Sequence, residues 1–230
     1  IESERNLRAN GSFRRADIIP LKRPDGRVDA VVRTQDSWTT NPRLVAGTEG
    51  GESFFGLGIE EGNLLGYGKS VAFDYQRVGA KTSNSYSYGD PRFLGTRLAL
   101  GGSYSRGTTG DAGAASLRRP FYSLDSSHAS AAAWSRSLDD VSLYQDASEF
   151  SKFRERRRVA EASAGARLES ARDTFVSRAE AGWYADRAQF EPLPQTLAGT
   201  LPPDRELSGP TLGYSWIQAR YVKEDYIDRM

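Results

Sequence analysis

The feature that most restricts the fold is a two-residue alternation that takes over after Trp38. Val71, Phe73 and Tyr75 alternate with Ser70, Ala72, Asp74 and Gln76. Leu98, Leu100 and Tyr104 share one parity, and Arg97, Ala99 and Ser103 share the other. Ala160, Ala162, Ala164, Ala166 and Leu168 alternate with Glu161, Ser163, Gly165, Arg167 and Glu169. Phe175, Ala179, Ala181 and Trp183 oppose Arg178, Glu180 and Asp186. Successive side chains of a strand point to opposite faces, so each run has one apolar and one polar face. A soluble sheet with one wet face has this pattern too. Two details favour a transmembrane barrel. The apolar parity is small or aromatic rather than Val/Ile/Leu-rich, and the polar parity carries full charges of both signs, as a hydrated lumen tolerates.

Composition excludes several classes. The 230 residues hold 31 basic and 30 acidic side chains, so charge balance gives no argument for a nucleic-acid partner. With Cys 0 there are no disulfides, thiolate metal sites or cysteine nucleophiles. His128 is the single histidine, which forbids a multi-histidine metal site, and it reads as an ordinary strand or loop residue. No run approaches the roughly 18 to 20 apolar residues of a membrane helix. Mean hydropathy is −0.59, a value a barrel can share with a soluble protein because only alternate residues meet lipid.

Punctuation divides the chain. Residues 3–12 read as a short helix end. Strand-like runs near 13–22 and 27–35 are joined by a Pro24-Asp25-Gly26 turn. After Trp38, turns are expected at Gly50-Gly51, 63–66, Val78-Gly79, Asp90-Pro91, Gly110-Asp111, Asp125-Ser126 and 138–140. They leave nine or ten strands. Residues 148–160 read as either helical or extended. The proline-rich stretch 192–210 reads as a long exposed loop.

Motifs for chemistry are absent. Gly62 to Ser70 superficially resembles a phosphate loop, but the required first glycine is Asn63. Glu60 with Glu61, and Asp139 with Asp140, are adjacent, so on a strand they would point to opposite faces and not converge; both pairs read as solvated turns. Arg156-Arg157-Arg158 reads as a solvated patch, with contact to lipopolysaccharide phosphates as the alternative. No enzyme, catalytic residue, cofactor or metal is expected.

A series of segments carries a resemblance. It comprises Val28 to Thr39, Phe54-Phe55-Gly56-Leu57-Gly58-Ile59, Asn63 to Lys69, Tyr88 to Arg97 and Arg118 to Asp125. In this order and spacing they resemble the outer-membrane protein assembly and two-partner-secretion translocator superfamily (BamA/TamA-like). The match is strong over residues 26–125. The resemblance implies an all-β membrane protein: the N-terminal portion of a sixteen-stranded antiparallel transmembrane β-barrel over residues 38–230. Residues 1–36 would be the C-terminal part of an α+β POTRA domain.

By the same resemblance, the function is insertion or folding of outer-membrane β-barrel proteins through a lateral gate at the first strand. Asn41, Pro42, Arg43, Leu44, Val45, Ala46, Gly47 and Thr48 form that candidate edge. Pro42 either weakens pairing there or marks the strand start. Alternatives are a two-partner-secretion translocator, a passive outer-membrane pore and a soluble all-β binding domain. The number of upstream POTRA domains separates the first two, and good behaviour without detergent marks the last. Expected partners are unfolded outer-membrane proteins or a secreted partner, membrane lipid and accessory lipoproteins, with no nucleic acid. The expected location is the outer membrane, with the N-terminal part in the periplasm. The family's lid loop and last gate strand would lie beyond Met230. The native protein is therefore expected to exceed 25.3 kDa, which mass measurement checks.

Overall fold

A computed structural model describes residues 4, 7, 11–168 and 175–218. The helix expected over residues 3–12 falls mostly outside these, although Glu4 and Leu7 are helical. Strands β1 (Phe13–Lys22) and β2 (Val28–Asp36) form an antiparallel hairpin. The tight turn at 23–27 is closed by Gly26 N–H donating to the Arg23 carbonyl at 3.1 Å. Glu4 accepts the Ile18 N–H at 2.9 Å, which ties the helical residue to β1.

The remaining ten strands form one antiparallel sheet in which each strand pairs with its sequence neighbours. They are β3 (Thr40–Glu49), β4 (Glu52–Glu61), β5 (Ser70–Val78), β6 (Lys81–Phe93), β7 (Leu98–Gly107), β8 (Gly110–Arg119), β9 (His128–Gln145), β10 (Ser148–Leu168), β11 (Phe175–Pro192) and β12 (Arg205–Gln218). Ten strands agree with the nine or ten read from the alternation. Among the described residues the sheet is open, with β3 and β12 as its edges. A 3-10 turn, Leu64–Gly66, lies between β4 and β5.

The connections alternate between the two ends of the sheet. One end has short turns at 50–51, 79–80, 108–109 and 146–147, plus residues 193–204. The other has longer links at 62–69, 94–97 and 120–127. Gly50 and Gly51 both have positive φ, 60° and 86°, as a two-residue hairpin that follows the right-handed strand twist requires.

Register assigns every side chain to a face. Leu57, Tyr75, Leu100, Trp134, Ala160 and Trp183 lie on one face. Asp74, Ser85, Ser103, Ser135, Glu161 and Asp186 lie on the other. The apolar face is the more exposed one, as the convex side of a curved sheet is: along interior strand β9, Ala132, Trp134 and Arg136 are exposed and Ala133 and Ser135 half-buried. Buried apolar side chains among the described residues are only Ala16, Phe153, Val176 and Ala188. A water-soluble domain of this size would bury most of its large apolar side chains.

Four expectations are corrected. Gly110-Asp111 is not a turn but opens β8, and the turn before it is at 108–109. Residues 138–140 are not a turn; they continue β9, because Asp140 accepts from Arg154 at 2.8 Å on the neighbouring strand. Asp90-Pro91 lies inside β6 at a bulge, where pairing with β7 skips from Asp90 to Phe93; proline has no ladder N–H to give there. The turn itself is at 94–97. Finally, 192–210 is not all loop: β11 ends at Pro192 and β12 starts at Arg205. The connection is not free in solvent either. Leu197 N–H donates to Ser151 Oγ at 3.0 Å, and Thr196 Oγ1 donates to the Lys152 carbonyl at 2.5 Å. The segment left open as helical or extended, 148–160, is strand β10.

The β9–β10 turn puts two adjacent non-glycine residues in the left-handed region. Asp146 and Ala147 both have positive φ, 49° and 62°. An L-residue with a Cβ costs about 1–2 kcal/mol in that region, and glycine does not. Ala147→Gly is expected to raise stability by about 1 kcal/mol, seen as a higher urea midpoint for unfolding of the refolded protein.

Candidate functional site

The segment Asn41 to Thr48 lies wholly within β3, the N-terminal edge strand, and all eight residues are exposed. Which backbone groups it presents follows from the hairpin. Residues flanking a two-residue turn form a hydrogen-bonded pair, here Glu49 and Glu52. Alternation then turns residues 41, 43, 45 and 47 toward β4. Residues 42, 44, 46 and 48 turn their backbone groups to the open side. The edge therefore offers the N–H groups of Leu44, Ala46 and Thr48 and the carbonyls of all four. Pro42 sits on the open side, where its missing N–H removes no bond to β4. Pro42 is the third residue of β3 and so lies inside the strand, where it has no N–H to offer on the open side.

A concave-face ion pair holds this strand to the sheet. Arg43, Gly58 and Asp74 lie in one row across β3, β4 and β5. The Arg43 guanidinium reaches over β4 to Asp74 at 2.6 Å. Gly58 leaves the space: a Cβ there would lie 2.3 Å from Asp74 Oδ1. At the strand's start, Thr40 Oγ1 donates to Glu61 at 2.5 Å, and the same carboxylate accepts the Asn63 N–H at 2.6 Å. Asn63 Oδ1 accepts the Gly68 N–H at 2.7 Å. The phosphate-loop lookalike is thus a closed turn with its amides in use. Lys69, at the end of this link, lies 3.3 Å from the buried Asp90 carboxylate. That hydrogen bond holds its ammonium above the usual lysine range.

The concave face is covered at both ends. Residues 120–127 fold over it at one end. Phe121 lies against Gly165, with the Arg178 guanidinium 4.2 Å from its ring. Arg178 donates to the Ser123 carbonyl at 3.0 Å, and Arg167 pairs with Asp125 at 3.1 Å. At the other end residues 193–204 cover Ser151 and Phe153, and Phe153 meets Phe190 edge-on at 5.8 Å.

Sequence reading missed several of these contacts. The Arg156-Arg157-Arg158 run is split by the strand: Arg157 turns to the concave face and binds Asp186 with two hydrogen bonds, 2.9 and 2.7 Å. Arg156 and Arg158 turn outward. The pairing partners are 29 and 31 residues apart in sequence for Arg157–Asp186 and Arg43–Asp74, so only register reveals them. Neither acidic pair is a solvated turn: Glu60 and Glu61 end β4, Asp139 and Asp140 lie within β9, and in each pair the two carboxylates are on opposite faces. His128 opens β9 with Nδ1 2.8 Å from Ser127 Oγ.

Neither a family model nor a curated protein sequence matches the chain. Among solved structures, BamA from Haemophilus ducreyi lacking POTRA domains 1–3 is similar, with 12% identity and a TM-score of 0.44. The match covers 84% of this chain and 49% of that one, so the chain spans about half the length of that structure.

Gly58→Val is expected to push Asp74 aside and release Arg43. The pair is half exposed, so the loss is about 1 kcal/mol at most. Amide hydrogen exchange in β3 is then expected to quicken about fivefold, with β8 unchanged. Equal exchange in both strands would remove the tie from the account.

Proposed function

We propose that this chain is part of an outer-membrane β-barrel that assembles other barrel proteins by offering β3 to an incoming strand. The observation that carries the reading is an edge strand on a sheet whose exposed convex face is apolar. In hydrocarbon an unpaired backbone polar group costs several kcal/mol, so such an edge is driven to find a strand partner. The polar concave face, with its ion pairs, suits a hydrated lumen. The ordered segments from Val28 to Asp125 support the assembly role rather than a passive pore. On this reading the hairpin β1–β2 belongs to a periplasmic POTRA domain, and the end with links 62–69, 94–97 and 120–127 faces the periplasm. Lipid and unfolded barrel proteins are then the direct partners, with lipoproteins as accessories.

The runner-up is a two-partner-secretion translocator, favoured by nothing specific in β3. Depletion in the native host separates the two. The assembly reading expects many outer-membrane proteins to fall together, whereas loss of one secreted protein supports the translocator. The chain has no cysteine, which makes a direct test clean. Leu44→Cys or Ala46→Cys is expected to form disulfides with a client barrel carrying a cysteine in its terminal strand. Ala115→Cys, in the interior strand β8, is expected to form none. Equal crosslinking at all three positions would defeat the edge model.

A further inference from the structure

We infer that the outward face of β9, β10 and β11 binds the phosphorylated headgroup of an outer-leaflet lipid through Arg136, Arg158 and Arg187. The inference rests on the membrane reading above and deepens it.

Three strands change character at one level. On the convex face β9 runs Ala132, Trp134 and then Arg136. β10 runs from Leu168 through Ala166, Ala164, Ala162 and Ala160 to Arg158. β11 runs Ala179, Ala181, Trp183, Ala185 and then Arg187. Arg158 is directly opposite Arg136 on one side and Arg187 on the other. The three cations therefore form one row across adjacent strands, immediately above an apolar run. That run on β10, Leu168 to Ala160, measures about 26 Å along the strand, or about 20 Å after strand tilt. The row thus marks a lipid–water boundary.

Like charges directly opposite on a sheet repel. The carboxylates on this face answer other cations, or only part of the row. Asp111 is 3.4 Å from Arg136, Glu191 is 3.3 Å from Arg156, and Asp140 takes Arg154 and Lys152. Glu206 is opposite Arg187 in register. Among the described residues no carboxylate lies within ion-pair distance of Arg158 or Arg187. All three arginines of the row are exposed. Neighbouring strands are about 4.8 Å apart, so forked guanidiniums from adjacent strands can grip one phosphate between them. An anion held here also neutralises the repulsion. The apolar run beneath selects a phosphate that carries acyl chains over a free one.

The test uses the refolded full-length protein in micelles, with bound lipid counted by native mass spectrometry. Probes are a glucosamine disaccharide lipid bearing two phosphate monoesters, its dephosphorylated form, and inorganic phosphate alone. The bisphosphorylated lipid is expected to bind tightest and to weaken with added salt. Changing all three arginines to Gln is expected to weaken it about tenfold or more. Changing all three to Lys keeps the charge, loses the fork and is expected to fall between. The Lys variant also serves as the readout if the Gln variant does not fold. Unchanged affinity in these variants, or equal binding of the dephosphorylated lipid, overturns the site. Equal binding of inorganic phosphate overturns its assignment to a lipid. Insertion of the wild-type protein into phosphatidylethanolamine–phosphatidylglycerol vesicles is measured separately. Failure there overturns the membrane reading, and the lipid site with it.

Discussion

Backbone hydrogen bonding is the constraint on which the sheet depends. Every peptide group needs a partner, and a meander of antiparallel strands supplies one locally for each interior strand. β4 through β11 are paired on both sides. Only β3 and β12 are not, among the described residues. The fold therefore concentrates its unsatisfied bonding capacity at its edges, and the N-terminal one is limited further by Pro42. The short turns serve the same end, since a two-residue hairpin leaves only its two turn residues outside the ladder.

Polarity is arranged in reverse of a soluble domain. Apolar side chains lie on the convex surface, and ion pairs such as Arg43–Asp74 and Arg157–Asp186 lie on the concave one. Packing is correspondingly local. Buried Ser151 and Phe153 lie at the end of β10, where residues 193–204 bond to Ser151, and buried Asp186 lies farther along β11 against Arg157. A second contact, Phe121 against Gly165, joins the β8–β9 link to strand β10. Stability of the sheet then comes from ladder bonds and cross-strand pairs more than from a core.

The alternation made the strands and their faces legible, and Gly50-Gly51 located the end of β3. What failed was local punctuation overruled by distant partners. Leu138-Asp139-Asp140 has turn composition, but Lys152 and Arg154 neutralise Asp140 from the adjacent strand. Pro91 looks like a turn residue and is absorbed by a bulge. The 193–204 link looks solvated, yet Ser151 and Lys152 bind it. The arginine row could not be read from sequence at all, because Arg136, Arg158 and Arg187 are separated by 22 and 29 positions and become neighbours only through register. Gly58 was visible as a glycine, but its task of making room for an ion pair was not.

Strand β10, at 21 residues, is about 69 Å long, more than twice what a bilayer core requires. Together with β9 and β11 it rises well past the last β8 residue paired with β9, Gly110 opposite Asp139. On the proposed orientation this stiff fin stands out from the cell surface. It would be the first part of the molecule met by an antibody, a phage or a neighbouring cell. Variation at its tip would change what the cell displays while leaving the strands within the membrane alone.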